Sequence, residues 1–243
     1  MILSQKQLEE IAAGITDDFN KFFFGPESGE ARMIRATPID QFARDYLGLD
    51  VSFIRLSSDG SICGLTAYAD TEYIVEDRGV KRSIALRSNQ VLLDDSFIRQ
   101  GQIKKLCGKR RFTLAHECAH QILYQLESDE VKQSCKKQYS ARTAYSLREL
   151  KTSEDWNEWQ ANVLGAAILM PQKEIDLAAY YYITTKKLTS YEGRFNYRDS
   201  LSLRAICMQL GVSKSAAVIR LRQLGYIEDR PYSDYEDPLE VWA

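Results

Sequence analysis

Histidine is the scarcest chemistry in this chain of 243 residues: there are two, beside 32 lysines and arginines and 34 aspartates and glutamates. A site that needs three imidazoles is therefore excluded by composition. The five cysteines, Cys63, Cys107, Cys118, Cys135 and Cys207, are odd in number, scattered and without a CxxC pair. Neither a disulfide framework nor a cysteine-ligated zinc site is expected, and a reducing, cytoplasmic location is the expectation. Long hydrophobic runs are also missing. The longest, residues 163–170, ends at Pro171, far short of the roughly 20 residues that span a bilayer, so no membrane span is expected. The opening residues, MILSQKQLEE, lack the charged and then apolar pattern of a secretory leader, so secretion is not expected. Charge of one sign is missing as well: a formal net charge of -2 gives no basic excess and disfavours DNA as the main partner.

What is present is an ordinary globular composition, 44% hydrophobic and 27% charged, enough to build a core of its own. Apolar positions at helical spacing predict helices over residues 4–13 and 39–48. Between Val51 and Asp94 the texture turns to short runs rich in β-branched and aromatic residues: Val51–Leu56, Ile62–Tyr68, Glu72–Val75 and Arg82–Arg87. These predict a small sheet, antiparallel at least in part. A helix is predicted around 110–126, then a basic stretch over 128–151, then a helix from about Glu154 to Met170 stopped by Pro171. Two short helical patterns joined by Gly211-Val212-Ser213 read as a helix-turn-helix, with Ser213 as N-cap of the second. The expected fold class is α+β, a small sheet packed on helices. The expected domains are residues 1–200, a helix-turn-helix-like segment over 201–227 and an acidic tail over 228–243.

The two histidines form one pattern, His116-Glu117-Cys118-Ala119-His120. On an α-helix they lie about 40° apart, one turn from each other, so both imidazoles can reach one zinc ion. Glu117 sits beside that face, placed to take a proton from a water that the metal has acidified and to return it to a leaving amine. Cys118 lies about 160° from His120 on the wheel and is expected to pack in the core. Small Ala119 is expected to admit a neighbouring element.

A catalytic zinc takes three protein ligands and an open position. With no third histidine, the remaining ligand is expected to be a carboxylate, ahead of a Tyr or a Cys. The helix after the basic stretch offers Glu154, Asp155 and Glu158, whereas Glu127, Asp129 and Glu130 follow the motif too closely to turn back. Asp155, Glu158 and Asn162 share a face within about 60°, so one could ligate while another steadies a histidine. Spacing favours Glu158 only modestly among them.

Two segments together resemble the ImmA/IrrE family of zinc metallopeptidases: Arg111-Phe-Thr-Leu-Ala-His-Glu-Cys-Ala-His120, and Glu158-Trp-Gln-Ala-Asn-Val-Leu-Gly-Ala-Ala-Ile-Leu-Met-Pro171. The resemblance implies a zincin-like fold, His116 and His120 as zinc ligands, Glu158 as the third, and Glu117 as the catalytic acid and base. It extends to Gly211-Val-Ser-Lys-Ser-Ala-Ala-Val-Ile-Arg-Leu-Arg-Gln-Leu-Gly225. The sequence departs from the family pattern at Cys118 and Ala119, at Val163-Leu164-Gly165, and in a long basic insert carrying Lys132, Lys136, Lys137, Arg142, Arg148 and Lys151. None of these removes a ligand, and the insert leaves the substrate groove undefined.

The activity so implied is that of an intracellular zinc endopeptidase. By the same resemblance its partner is a helix-turn-helix repressor of a mobile element or stress response, cut to relieve repression. The substrate is expected to add as a strand to the edge of the sheet. The alternative is a regulator that binds DNA or sequesters a repressor around a structural zinc, with Lys214, Arg220 and Arg222 as contacts. Tyr124, Tyr180, Tyr181, Tyr182 and Arg194 all have the chemistry to stabilise an oxyanion, and sequence does not choose among them.

Overall fold

The computed structural model of the chain describes residues 1–29, 33–57, 59–77, 80–134 and 152–235. Most of the basic stretch, including Lys136, Lys137, Arg142, Arg148 and Lys151, lies outside the described residues, as does the end of the acidic tail from residue 236. The chain forms two compact units, residues 1–30 with 37–169, and residues 31–36 with 170–243.

In the first unit, α1 (Gln5–Phe24) opens on a capping box in which the Ser4 hydroxyl and the Gln7 side chain each accept the other's backbone N–H. The helix runs well past the predicted residue 13, because its second half buries Phe19 against Phe42 and Tyr46, with ring centroids 5.1 and 5.5 Å away. It stops at Gly25, whose φ of 94° only glycine adopts freely. Residues 39–48 were expected as one helix and form instead a single α-turn, α2 (Ile39–Gln41), that widens into a π-turn over Phe42–Tyr46. The widened turn leaves the Phe42 and Tyr46 rings 5.5 Å apart, and both of them reach Phe19.

Five strands follow: β1 (Asp50–Ile54), β2 (Gly64–Thr66), β3 (Thr71–Asp77), β4 (Val80–Leu86) and β5 (Gln90–Asp94). β3 and β4 form a separate hairpin. The other three make a mixed sheet in the order β1-β5-β2, with β1 parallel and β2 antiparallel to β5. Strand β5 has no counterpart in the sequence reading. A central strand covered on both faces reads as a plain apolar run, here Val91-Leu92-Leu93, without the alternation that signals a half-buried strand.

One face of this sheet, through Leu65, Ala67 and Leu92, packs on Tyr73, Val75 and Leu86 of the hairpin. From the other face Gly64 and Thr66 meet α3 (Ile103–Gln125). Helix α3 begins seven residues before the predicted start. It is followed by α4 (Asp129–Ser134) and α5 (Ser153–Leu169), and α5 packs on both α3 and α1. Two arginines of the Arg110-Arg111 pair pin the α2 turn to α3: Arg110 donates to both Asp40 oxygens at 2.6 and 2.8 Å, and Arg111 donates to the Thr37 carbonyl at 2.8 Å.

The second unit contains α6 (Gln172–Tyr182), β6 (Leu188–Tyr191), β7 (Arg194–Phe195), α7 (Tyr197–Leu210), α8 (Lys214–Gln223) and β8 (Ile227–Arg230). Its sheet has the order β7-β6-β8, with β6 parallel to β8. Helices α7 and α8 are joined through Gly211, left-handed at φ 65°, and Ser213, whose hydroxyl accepts the Ala216 N–H. The molecule as a whole is α+β. Among the described residues, no helix is long and apolar enough to cross a membrane.

Candidate metal centre

The site is built on two crossing helices. His116 and His120 project from the buried middle of α3, and Glu158 projects from the first turns of α5. The two imidazole Nε2 atoms are 3.1 Å apart; Glu158 Oε2 is 3.3 Å from His116 Nε2, and Oε1 is 3.2 Å from His120 Nε2. The rings stand nearly perpendicular, at 88°. Burial alone would push the Glu158 carboxyl up, but hydrogen bonds and charge from His116 and His120 outweigh it and hold the group down at about 2. The carboxylate is therefore ionised and aimed at the two imidazoles.

These separations suit a metal ion. Ligands bonded at 2.0–2.1 Å in a tetrahedral site sit about 3.3 Å from each other. Two imidazole nitrogens, once freed of their protons, and one carboxylate match that spacing, so the donor set fits a small divalent ion. Among the described residues, His116, His120 and Glu158 are the one such group.

Two glycines make the arrangement sterically feasible. A Cβ on Gly165 would lie 3.0 Å from the backbone of Ala115 and His116, so the absence of a side chain lets α5 approach α3. Gly165 is seven residues after Glu158, two helical turns along the same face. The sequence reading attached close approach to Ala119; Ala119 is fully buried, and Gly165 on the opposite helix is the residue whose missing side chain the contact requires. On β2, a Cβ on Gly64 would fall 2.5 Å from Glu117 Oε1. The Glu117 carboxylate is buried against the strand, beside the face that carries the histidines. Below Gly64, Gln121 donates to Thr66 Oγ1 and to the Ala67 carbonyl at 2.6 and 2.9 Å, tying the strand to the helix.

The other residues singled out from sequence are dispersed. Asp155 forms a capping box at the start of α5, its carboxylate accepting the Thr152 N–H at 2.8 Å while its own N–H donates to Thr152 Oγ1. Asn162 is half-buried one turn after Glu158. Cys118 is buried, and desolvation pushes its thiol well above the ordinary range, which suits a packing role. Arg220, read from sequence as a partner or DNA contact, is fully buried, and its Nε donates to the Met170 carbonyl at 3.1 Å. A guanidinium with no exposed surface holds its own unit together and does not face outward. Lys214 stands 5.5 Å from the Phe195 ring, and Arg222 makes a two-pronged pair with Asp229 at 2.7 and 2.8 Å. Of the oxyanion candidates, Tyr124 stacks on Tyr68, Arg194 lies over Tyr232, and Tyr180 and Tyr181 are exposed.

Residues 108–222 match the family Peptidase_M78, described as the IrrE N-terminal-like domain. The match begins within α3, takes in both histidines and Glu158, and ends in α8, so the Peptidase_M78 segment contains every member of the His116, His120 and Glu158 cluster. The resemblance to ImmA/IrrE family metallopeptidases read from the sequence is thus supported by this match. No curated protein matches the chain.

Proposed function

We propose that the chain is a zinc-dependent endopeptidase in which His116, His120 and Glu158 hold the ion and Glu117 carries the proton. The observation that supports this most strongly is the convergence of three metal donors at 3.1–3.3 Å in a segment of a peptidase family. Zinc bound there would supply Lewis acidity, drawing the pKa of water from 15.7 toward about 7. Glu117 is the base that receives the proton of the attacking water and passes it to the departing amine. Its carboxylate, buried beneath Gly64, holds that proton away from bulk water.

The substrate is a protein segment in extended form. β2 is an edge strand of its sheet among the described residues, and added main chain along that edge would pass over Glu117. Following the family resemblance, the protein cut is a helix-turn-helix repressor, and the consequence is release of repression. A structural zinc takes four protein ligands, whereas this cluster supplies three, which favours catalysis over the regulator reading. The internal contacts of Lys214, Arg220 and Arg222 weigh against DNA binding.

Elemental analysis of the wild type beside two variants tests the assignment. About one zinc per chain is expected in the wild type and in Glu117→Gln, and much less in Glu158→Ala. Cleavage of a repressor partner is expected to vanish in both variants. Undiminished cutting by Glu117→Gln would overturn the role given to that residue.

A further inference from the structure

Beyond the donor cluster, one feature borders the same groove. Strand β2 and the residues just after it run beside helix α3 through three successive contacts: Gly64 over Glu117, Thr66 on Gln121, and the Tyr68 ring on the Tyr124 ring. The two tyrosines stack with centroids 4.5 Å apart and planes 15° from parallel, and both are half-exposed. On the helical wheel Tyr124 lies about 20° from Glu117 and about 40° from His120. The stack therefore bridges strand and helix at the margin of the metal-binding face. Along the helix it is about 6 Å beyond His120, and Tyr68 lies two residues past the end of β2.

Resting on the peptidase reading, we infer that the Tyr68–Tyr124 stack is a specificity subsite for an aromatic side chain of the substrate. An extended chain added antiparallel to β2 runs from Tyr68 toward Gly64, so the stack meets residues ahead of the cleaved bond. The distance along the helix is about two residues of extended chain at about 3.3 Å each, and Tyr68 is four residues from Gly64, so the recognised side chain falls two to four residues before that bond. A third group narrows the class of side chain. Lys132 Nζ is 6.0 Å from the Tyr124 ring and donates to the Gln125 carbonyl at 2.9 Å. That fixed positive charge repels lysine and arginine, which would otherwise compete for a tyrosine face. A neutral aromatic ring stacks or packs edge-on against Tyr68 without that penalty.

The test is cleavage-site profiling with the zinc-loaded full chain, using a peptide library made by digesting a whole-cell proteome and reading the new termini by mass spectrometry. Phe, Tyr and Trp are expected to be enriched about tenfold over Ala two to four residues before the cut. Tyr68→Leu and Tyr124→Leu are expected to keep zinc and continue cutting with that enrichment lost, while Tyr68→Phe retains it. Lys132→Glu is expected to admit Lys and Arg at the same position. Cleavage by the wild type without an aromatic preference there, or a preference that survives both leucine variants, overturns the subsite and leaves the peptidase reading intact. A wild type that binds zinc and cuts nothing overturns the peptidase reading and the subsite with it.

Discussion

Gly64 and Gly165 control the site without offering it a donor atom. Alanine at 64 would drive a methyl group into the Glu117 carboxylate and Thr113 Cγ2, at 2.5 and 2.6 Å. Gly64→Ala is expected to keep its zinc and lose activity by about a hundredfold or more, the scale of a displaced general base; metal content and kcat on the same preparation check it. Gly165→Ala meets backbone, which cannot rotate away. It is expected to cost about 1–3 kcal/mol of stability and to weaken zinc binding by separating the helices that carry the ligands, measured by urea unfolding and zinc titration. At this scale the sequence pointed to the side chains that the structure brings together and concealed their supports. His116, Glu117 and His120 are legible because helical spacing alone brings them to one face. Glu158 is legible only modestly by spacing, since which acid of α5 faces α3 depends on how two helices cross. The roles of Gly64 and Gly165 depend on contacts 53 and 50 positions away along the chain, with Glu117 and Ala115, and no local pattern marks them.

At the scale of elements, two arginines do structural work that charge patterning does not reveal. Hydrogen bonds from Arg110 hold the Asp40 carboxyl below its ordinary range, against the opposing effect of burial. A carboxyl depressed in the folded state adds stability above its unfolded value near 3.8, and that stability is lost as the pH falls through the folded value. Asp40→Asn is thus expected to lose about 1 kcal/mol at pH 7, with the gap to wild type closing in strong acid, as urea midpoints at pH 7 and pH 3 would record. Arg220 gives a sharper contrast. Fully buried on the Met170 carbonyl, it is expected to cost about 3 kcal/mol when changed to alanine, whereas a DNA-facing arginine would leave thermal unfolding unmoved. Helix positions were legible where a cap or proline marks them, as at Ser213 and Pro171. Strand β5 was not, and neither were β6, β7 and β8, two to five residues each, because runs that short carry no period of their own.

For the molecule as a whole, the ion is expected to act as a stabilising ligand of the folded state. Zinc at 100 times its Kd adds about 2.7 kcal/mol, so chelation is expected to lower the Tm of the wild type and leave that of Glu158→Ala nearly unchanged. The pairing of β1 with β5 has a temporal consequence. Asp50 lies beside Gln90, and the Leu3 N–H donates to Gln160 Oε1 across 157 positions of sequence. Both contacts close long loops, whose entropy must be lost before the contacts repay it. On a ribosome, β1 waits some 40 residues for its central neighbour, and the segment ahead of α1 waits until α5 has emerged. His116 and His120 are made before Glu158, so a nascent chain cannot present the three donors together until α5 has emerged. The donor group closes only after the sheet and α3 beneath it have been made, and the carboxylate that completes it arrives on the same helix that Leu3 has been awaiting.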